Sequence, residues 1–389
     1  MSRRNFFENL VLGCISVLLC FSMLEALVRF IPTKQGFAIM EQDKYIGERY
    51  KKNLDIKIPA DEGNGGAIHI VTNSHGFIGD EWGISQKGIR IANLGDSFTA
   101  GTQAVSYEGT YVTLLGKRLS SFFGLPTESL NFGVGGFGGL EELNAYRHYV
   151  RESKPDIVIL WVYLGNDFSN NIHNKDDENE NGSEPAVSTA PTLTRNHSIT
   201  VRFLQKSKLL YFVKDLVIKS GLHRHIFALL SEVPAVERFL YNIYLPAIPD
   251  ELTLVYTTDI RNEKAILKTE KYITELQSEV HTDGALFFVV LIPAHFQVDE
   301  EARGRLFRQY PELTDMQFDT SEPNKVLARI FTEYKIPFLD LAPQFEREIR
   351  KGVPLYACRF CHFSAKGQQL AAELVADELS ERYFKIRGR

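Results

Sequence analysis

Short apolar runs and amphipathic stretches alternate along the chain from residue 89 towards the carboxyl end. Five runs have the length and composition of β-strands: Ile91–Leu94, Ser129–Phe132, Ile157–Leu164, Ala285–Ile292 and Pro337–Leu341. The third and fourth are apolar throughout, which is typical of strands buried on both faces of a parallel sheet. Helical periodicity occurs at Tyr111–Phe123, Leu140–Glu152, Asn262–Val280, Asn324–Tyr334 and Gln368–Phe384. The pattern predicts an α/β fold with a three-layer, flavodoxin-like parallel sheet of about five strands.

The amino terminus has a different hydrophobic pattern. Residues from Leu10 to Leu24 are all apolar or small, and the apolar character continues between Glu25 and Arg29. A membrane-spanning helix needs roughly 20 residues, a length that this region reaches if its terminal polar side chains extend to the lipid interface. We therefore expect residues 1–33 to be a membrane anchor with a single transmembrane helix. The alternatives are an apolar core helix and a cleaved signal peptide, although no Ala-x-Ala-like cleavage site follows the run.

Two further regions lie outside the regular alternation of strands and helices. One separates the anchor from the sheet, and the other lies between the third and fourth predicted strands. Residues 34–88 are mixed in character, with a short strand predicted at Ile68–Val71, and we expect a membrane-proximal lead-in there, before the domain with the large sheet at 89–389. Within that domain about 120 residues separate the third predicted strand from the fourth, which is long for a single crossover. We expect a helical insertion at 168–260. It either covers the carboxyl edge of the sheet as a cap or packs as a subdomain on the flank of the sheet.

Composition narrows the class of protein. The chain has 389 residues, of which 44% are hydrophobic and 24% charged, so it is long enough for a large folded domain and is not a disordered chain as a whole. Its net charge of −5 argues against a nucleic-acid binder, which would need a basic patch. Four cysteines are too few for a disulfide scaffold of this length.

Distinctive groups follow the first three predicted strands. The strands run, in order, into Gly95-Asp96-Ser97, a glycine-rich stretch at 133–139, and Gly165-Asn166-Asp167, while His362 precedes the last predicted helix. Parallel strands bring such groups together at the carboxyl edge of a sheet. A serine there can be a nucleophile, with a histidine as its base and with glycine N–H groups and an asparagine amide as oxyanion donors. Taken alone, each of these motifs is also an ordinary turn.

Together, the four groups resemble the SGNH (GDSL-type) hydrolase family, whose conserved blocks contain a serine, a glycine, an asparagine and a late histidine in that chain order. The matching positions are Ser97, Gly136, Asn166 and His362. The resemblance covers roughly residues 89 to 384. It extends to the turn Asn73-Ser74-His75-Gly76, which is similar to that of membrane-anchored bacterial members.

The resemblance implies a role for each of these residues. Ser97 would attack an ester carbonyl, and His362 would be its base. The backbone N–H groups of Ser97 and Gly136 and the side chain of Asn166 would form the oxyanion hole. Asp96 is expected to bond backbone groups of the turn.

The chain departs from the family pattern at two positions. The family usually has an aspartate three residues before the histidine, and Arg359 stands there. Asp340 and Asp167 are candidate substitutes, and a Ser-His dyad whose histidine is held by a backbone carbonyl is the alternative. The glycine of the third block is also shifted, since Gly165 is adjacent to Asn166.

The segment Cys358-Arg359-Phe360-Cys361-His362 contains the main competing motif. Cys-x-x-Cys-His is the attachment pattern of haem c, but haem ligation would use the histidine that the serine needs. A disulfide between Cys358 and Cys361 is the interpretation that we favour for an oxidising compartment. Zinc is the third reading, although too few ligands lie nearby.

From these residues we expect a serine-dependent ester hydrolase, acting on an acyl or O-acetyl ester of a small molecule or a glycan through an acyl-enzyme, without metal or cofactor. An acyltransferase to a glycan hydroxyl and a non-catalytic anchored binding protein are the alternatives. Arg3 and Arg4 favour a cytoplasmic amino end, while Arg29 and Lys34 on the other flank oppose it. We therefore expect a single-pass inner-membrane protein with a periplasmic catalytic domain.

Overall fold

A computed structural model describes residues 16, 20–24, 39–59, 67–82, 88–173, 250–257, 261–357 and 362–387. The strands in these ranges are β1 (Met40–Asp43), β2 (Gly47–Tyr50), β3 (Asp55–Pro59), β4 (Ala67–Val71), β5 (Ile89–Gly95), β6 (Thr127–Asn131), β7 (Ile157–Tyr163), β8 (Leu286–Ile292) and β9 (Phe338–Asp340). The helices are α1 (Ser97–Ala100), α2 (Tyr111–Phe123), α3 (Gly139–Ala145), α4 (Asp167–His173), α5 (Asp250–Thr253), α6 (Arg261–Thr282), α7 (His295–Val298), α8 (Glu300–Gln309), α9 (Glu322–Glu333), α10 (Ala342–Arg350) and α11 (Ala365–Arg387).

Five of the strands form one parallel sheet in the order β6-β5-β7-β8-β9. Counted along the chain, this order is 2-1-3-4-5, which is that of flavodoxin-like sheets. The predicted α/β fold with a parallel five-stranded sheet is therefore confirmed. The predicted strand bounds are also close to those observed, because each strand is marked by a short apolar run.

Side chains of the central strands alternate between two cores, one on each face of the sheet. In β7, Val158, Leu160 and Val162 belong to the first core, whereas Ile157, Ile159 and Trp161 belong to the second. Residues of α3, α6 and α9 pack in the first core, and residues of α2, α10 and α11 pack in the second. Burial on both faces explains why these strands are almost entirely apolar in sequence.

The region before the sheet contains two small antiparallel pairs, β1–β2 and β3–β4. It contacts the loops at the carboxyl edge of the large sheet. Tyr50 lies 3.5 Å from Thr102 through their hydroxyl groups, and the ring of Phe77 packs 4.9 Å from that of Phe132. The sequence predicted a strand only at Ile68–Val71, because the other strands are short and largely polar.

One predicted helix is irregular. The pattern predicted a helix over Leu140–Glu152, and the structure has α3, then a π-helical turn at Tyr146–Val150 and a 3₁₀ turn at Arg151–Ser153. The buried face continues through these turns, since Tyr146 and Val150 are both buried.

Most of the predicted anchor and insertion lies outside the described residues. Of the anchor at 1–33, only residue 16 and residues 20–24 are described, and they are helical. Across the described ranges, no helix is long and apolar enough to span a membrane. Of the insertion at 168–260, the structure describes only its two ends, which include α5. The anchor and the insertion remain predictions.

Candidate active site

The candidate nucleophile lies where strand order changes direction in the sheet. β5 and β7 are neighbours, and β6 and β8 lie on opposite sides of this pair. Ser97 is the first residue of α1, directly after β5, and Asn166 lies just after β7. A topological switch point of this kind opens a crevice at the carboxyl ends of the strands, where open α/β sheets bind their ligands.

The turn before Ser97 can only be built with a glycine. Gly95 has φ +156°, and a Cβ there would collide with the side chain of Thr99 and lie 3.0 Å from the carbonyl oxygen of Trp161. The next residue, Asp96, caps α1 by accepting a hydrogen bond of 2.8 Å from the backbone N–H of Phe98. The turn that carries Ser97 is therefore tightly packed.

His362 reaches Ser97 from a hairpin near the carboxyl end of the chain. Its Nε2 lies 2.8 Å from Oγ of Ser97. The hairpin is closed by a β-bridge between Tyr356 and Phe363, and the hydroxyl of Tyr356 donates a hydrogen bond of 2.6 Å to the carbonyl of Pro293. The ring of Phe98 packs 4.9 Å from the imidazole ring of His362. The structure thus brings the predicted nucleophile and base into hydrogen-bonding contact.

The glycine-rich loop after β6 lies beside the serine. A Cβ on Gly135 would be 3.7 Å from Cβ of Ser97. Gly136, the predicted oxyanion donor, is exposed, has φ +84° and has no atom within 4 Å in the direction of a Cβ. The side chain of Asn131 fixes the start of the loop, since it donates to the carbonyl of Thr99 at 2.8 Å and accepts from the N–H of Gly133 at 2.9 Å.

Helix α4 joins the glycine-rich loop to the Asn166 turn. Asn170 donates a hydrogen bond of 3.0 Å to the carbonyl of Phe137, and Asn171 accepts one of 2.7 Å from the N–H of Gly139. The two loops that carry the predicted oxyanion donors are therefore connected directly.

The shifted glycine of the third block has a physical explanation. Tyr163 folds back so that its ring lies over Gly165, and a Cβ on Gly165 would collide with that ring. The turn is closed by Asp167, whose carboxylate accepts a hydrogen bond of 2.7 Å from the N–H of Tyr163. In this chain the glycine is needed next to Asn166 because an aromatic ring occupies the space above it.

Three carboxyl groups are buried beneath the site. Asp96 is 0% exposed, and Glu142 and Asp167 are each 3% exposed. Burial raises the pKa of Glu142 and of Asp167 well above their ordinary values, and the charge of Asp96 raises both further. The sequence analysis did not identify Glu142. The signal in the sequence is its spacing of four residues from Tyr146, which is buried.

The two candidate substitutes for the usual aspartate have other partners. Asp340 accepts hydrogen bonds from the side chain of Asn324 at 2.7 Å and from the N–H of Ala342 at 2.9 Å. Asp167 accepts from Tyr163, as described above. Arg359, Cys358 and Cys361 lie outside the described residues, so the predicted disulfide remains a prediction.

The contact between Ser97 and His362 has the geometry of a hydroxyl nucleophile with its general base. Gly135, next to the predicted donor Gly136, lies beside Ser97, and Asn166 follows β7, the neighbour of the strand that leads into Ser97. In the part of the chain that the structure describes, no group of three or more His, Cys, Asp or Glu side chains is arranged to hold a metal ion.

Some solved structures are distantly similar to this chain. A lipase/acylhydrolase from Enterococcus faecalis is 14% identical with a TM-score of 0.39, and the match covers 76% of this chain and 96% of that one. A catalytic mutant of an acetylxylan esterase from Geobacillus stearothermophilus is 13% identical with a TM-score of 0.39, over 75% and 94% of the two chains. These scores are too low to transfer a site or a substrate.

The match to a protein family is more specific. Residues 91–214 match the family described as GDSL-like Lipase/Acylhydrolase. This range contains Ser97, Gly136 and Asn166. No curated protein matches the chain. Over this range, about a third of its length, the chain is similar to that family.

Proposed function

We propose that the chain is a serine-dependent ester hydrolase that works through an acyl-enzyme intermediate. The observation that carries this proposal is the distance of 2.8 Å between Oγ of Ser97 and Nε2 of His362. Both side chains are half-buried at the carboxyl edge of the sheet, so they are held by the fold and remain accessible to a substrate.

In the first step, Oγ of Ser97 attacks the ester carbonyl and its proton passes to Nε2 of His362. The carbonyl oxygen becomes an oxyanion, which the N–H groups of Ser97 and Gly136 and the side-chain amide of Asn166 would stabilise. Each such donor, when aimed at the developing charge, typically contributes on the order of 10²-fold or more to the rate.

In the second step, His362 returns the proton to the leaving alcohol as the C–O bond breaks, which leaves the acyl group on Ser97. A water molecule then attacks the acyl-enzyme while His362 removes its proton. Collapse of the second tetrahedral intermediate releases the acid and restores the serine hydroxyl.

We propose an acyl or O-acetyl ester of a small molecule or a glycan as the substrate. The same acyl-enzyme would acylate a glycan hydroxyl if an acceptor displaced water, so the test includes an acceptor. Purified protein is incubated with short and long nitrophenyl esters, and with an acetylated glycan in the presence and absence of an acceptor glycan. Release of free acid supports hydrolysis, whereas transfer of the acyl group only when the acceptor is present contradicts it.

The serine is tested with a matched pair of variants. Ser97→Ala removes the nucleophile and should abolish turnover with little change in stability. Ser121→Ala alters an exposed serine of α2 and should behave like the wild type. Undiminished ester hydrolysis by the Ser97→Ala protein would show that another group is the nucleophile.

We also propose that residues 1–33 anchor the protein in the inner membrane, with the catalytic domain in the periplasm. The uncharged run Leu10–Leu24 and the preceding Arg3 and Arg4 support this topology. A topology reporter fused after residue 40 should be active only outside the cytoplasm. Activity of a cytoplasm-specific reporter at that position would overturn the proposed localisation.

A further inference from the structure

The imidazole ring of His295 stacks on a residue of the hairpin that carries His362. Its centroid lies 4.4 Å from that of the Tyr356 ring, and the two ring planes are 19° apart. The hydroxyl of the same tyrosine donates its hydrogen bond of 2.6 Å to the carbonyl of Pro293, two residues before His295. Tyr356 is therefore held at its face and at its hydroxyl by one turn, which directly follows β8.

Asp299 fixes the orientation of this imidazole ring. Its Oδ2 lies 3.0 Å from Nε2 of His295. Its Oδ1 accepts hydrogen bonds from the N–H groups of Glu301 at 2.8 Å and of Ala302 at 3.0 Å, and thereby caps α8. The side chains of His295 and Asp299 are only 15% and 22% exposed. Because both oxygens of the carboxylate are bound, it keeps the imidazole from rotating away from Tyr356.

The turn that carries His295 is fixed to a neighbouring helix. The side chain of Gln297 accepts a hydrogen bond of 2.7 Å from the N–H of Ala294, which closes the start of α7. Its amide nitrogen donates to the carbonyl of Thr320 at 2.7 Å and to the side chain of Asn324, in α9, at 2.9 Å. His295 therefore projects from a turn that cannot shift without also moving away from α9.

The hairpin couples the position of Tyr356 to that of His362. Tyr356 forms the β-bridge with Phe363, and the N–H of the next residue, Ala357, donates a hydrogen bond of 3.0 Å to the carbonyl of His362. A shift of the tyrosine therefore moves the backbone that carries the base. His362 can take the serine proton only while its Nε2 stays within hydrogen-bonding distance of Oγ of Ser97, which is 2.8 Å here.

From this geometry we propose that His295 is a positioning residue of the reaction: with Asp299 it forms a seat for Tyr356 that keeps His362 within reach of Ser97. The proposal rests on the proposed serine hydrolase function. In this role His295 acts through Tyr356 and the hairpin. Without the seat, His362 would accept the serine proton more slowly, and it would also deliver that proton less well to the leaving alcohol.

The test compares two esters whose leaving groups depend differently on His362. A nitrophenol is acidic enough to leave as its anion, whereas an alkyl alcohol leaves only with the proton that His362 delivers. A displaced His362 therefore slows the cleavage of an alkyl acetate more than that of nitrophenyl acetate. The value of kcat/KM is measured for both, because it reports acylation and not the hydrolysis of the acetyl-enzyme that the two esters share. Loss of folded protein would lower both values by the same factor.

His295→Ala removes both the stack on Tyr356 and the hydrogen bond to Asp299. We expect kcat/KM to fall by ~30-fold for the alkyl acetate and by ~3-fold for nitrophenyl acetate, so that their ratio changes by about 10-fold. His295→Phe keeps a flat ring against Tyr356 but loses the hydrogen bond, and we expect its ratio to change by about 3-fold. His148→Ala is the matched control, because it removes a histidine that stacks at 3.7 Å and 12° on Tyr45, in the β1–β2 turn. It should keep both wild-type values.

A fluorophosphonate probe counts the reactive sites in each preparation of full-length protein. Oγ of Ser97 forms a bond to phosphorus, fluoride leaves, and the serine proton passes to His362. Rates are expressed per labelled site, so a variant that folds poorly still tests the proposal. A ratio of the two kcat/KM values that changes most in His295→Ala and less in His295→Phe supports the seat. An unchanged ratio in both variants overturns it, and His295 would then only stabilise the fold. Failure of the proposed function is a different result, because the wild-type protein would then not react with the probe at Ser97 at all.

Discussion

The two halves of the catalytic pair are positioned in different ways. In the serine turn, residues 95–101, Asp96 caps α1, and Tyr111 and Asn131, 12 and 32 positions from Thr99, bind its side chain and its backbone. The histidine hairpin comprises residues 355–357 and 362–364, and His362 lies 265 positions after Ser97. Its β-bridge between Tyr356 and Phe363 is internal, and it is attached to the domain by the buried side chains of Leu355 and Phe363 and by the hydroxyl of Tyr356.

This difference has consequences for which substitutions matter. The serine turn has no room for added atoms, so it should fail abruptly when its packing is disturbed. The histidine hairpin is held by buried apolar side chains and by the hydrogen bond of Tyr356, so loss of that bond should loosen it and lower the rate without unfolding the domain. A displacement of about 1 Å in a catalytic group can cost 10²-fold in rate.

The largest effect is expected from filling the space beside the serine turn. Gly95→Ala places a methyl group against Thr99 at a φ of +156° that L-residues rarely adopt. We expect a loss of about 3 kcal/mol in the free energy of unfolding, measured by urea denaturation, together with loss of activity.

Gly109→Ala is the matched control for that substitution. The nearest atom to a Cβ at Gly109 is Cβ of Val105 at 3.6 Å, which is an ordinary contact. We expect a change of less than about 1 kcal/mol. If the two variants lose similar amounts of stability, the serine turn is not the rigid half of the site.

A smaller effect is expected in the histidine hairpin. Tyr356→Phe removes the hydrogen bond to the carbonyl of Pro293, which is buried, and should cost about 1–2 kcal/mol. Because the hairpin carries His362, we expect kcat to fall by several-fold with little change in KM. Both are obtained from steady-state kinetics on a nitrophenyl ester.

Tyr334→Phe removes a hydroxyl of the same kind at the surface, where it donates to Glu270 at 2.7 Å. It should leave stability and kcat within error of the wild type, since exposed polar contacts contribute little. Equal losses in the two variants would mean that the Tyr356 hydrogen bond does not position the hairpin.

The sequence predicted the serine half better than the histidine half, because strand patterns place the serine whereas contacts between distant parts of the chain place the histidine. Apolar runs locate β5 and β7, and the residues that follow a parallel strand must lie at its carboxyl edge, so Ser97 and Asn166 could be placed from pattern alone. His362 was proposed as the base from its place before the last predicted helix, and the family resemblance then supported that role. Its position depends on long-range contacts such as that of Tyr356 with Pro293, which no local pattern encodes.

Two other features were missed because they depend on side-chain direction. The role of Gly165 follows from the ring of Tyr163, which folds back over it. The complete burial of Asp96 follows from the packing of the turn around it. The sequence shows an ordinary turn in both places, since neither feature produces a periodic pattern of apolar residues.

The last prediction concerns Glu142, a buried acid of the site, whose effect on the free energy of unfolding is confined to a range of pH. Glu142 is 3% exposed, and one of its oxygens has no hydrogen-bond partner among the described residues. Its pKa in the folded protein lies well above the ordinary value of 4.5, mainly because of burial. Above pH 4.5 the unfolded chain loses this proton while the folded chain keeps it, so stability falls with rising pH until the folded pKa is reached.

Glu142→Gln has nearly the same shape and cannot ionise, so it removes this one source of pH dependence. Between the two pKa values a single group contributes a slope of about 1.4 kcal/mol per pH unit. The variant should therefore gain stability relative to the wild type as pH rises from 5 to 8, and should be close to the wild type near pH 4. Glu263→Gln, at an exposed position in the first turn of α6, should run parallel to the wild type over the same range. If stability from urea denaturation changes with pH equally in Glu142→Gln and in the wild type, then Glu142 ionises in the folded protein as it does in water. The buried carboxyl groups near the serine turn would then not be a protonated cluster.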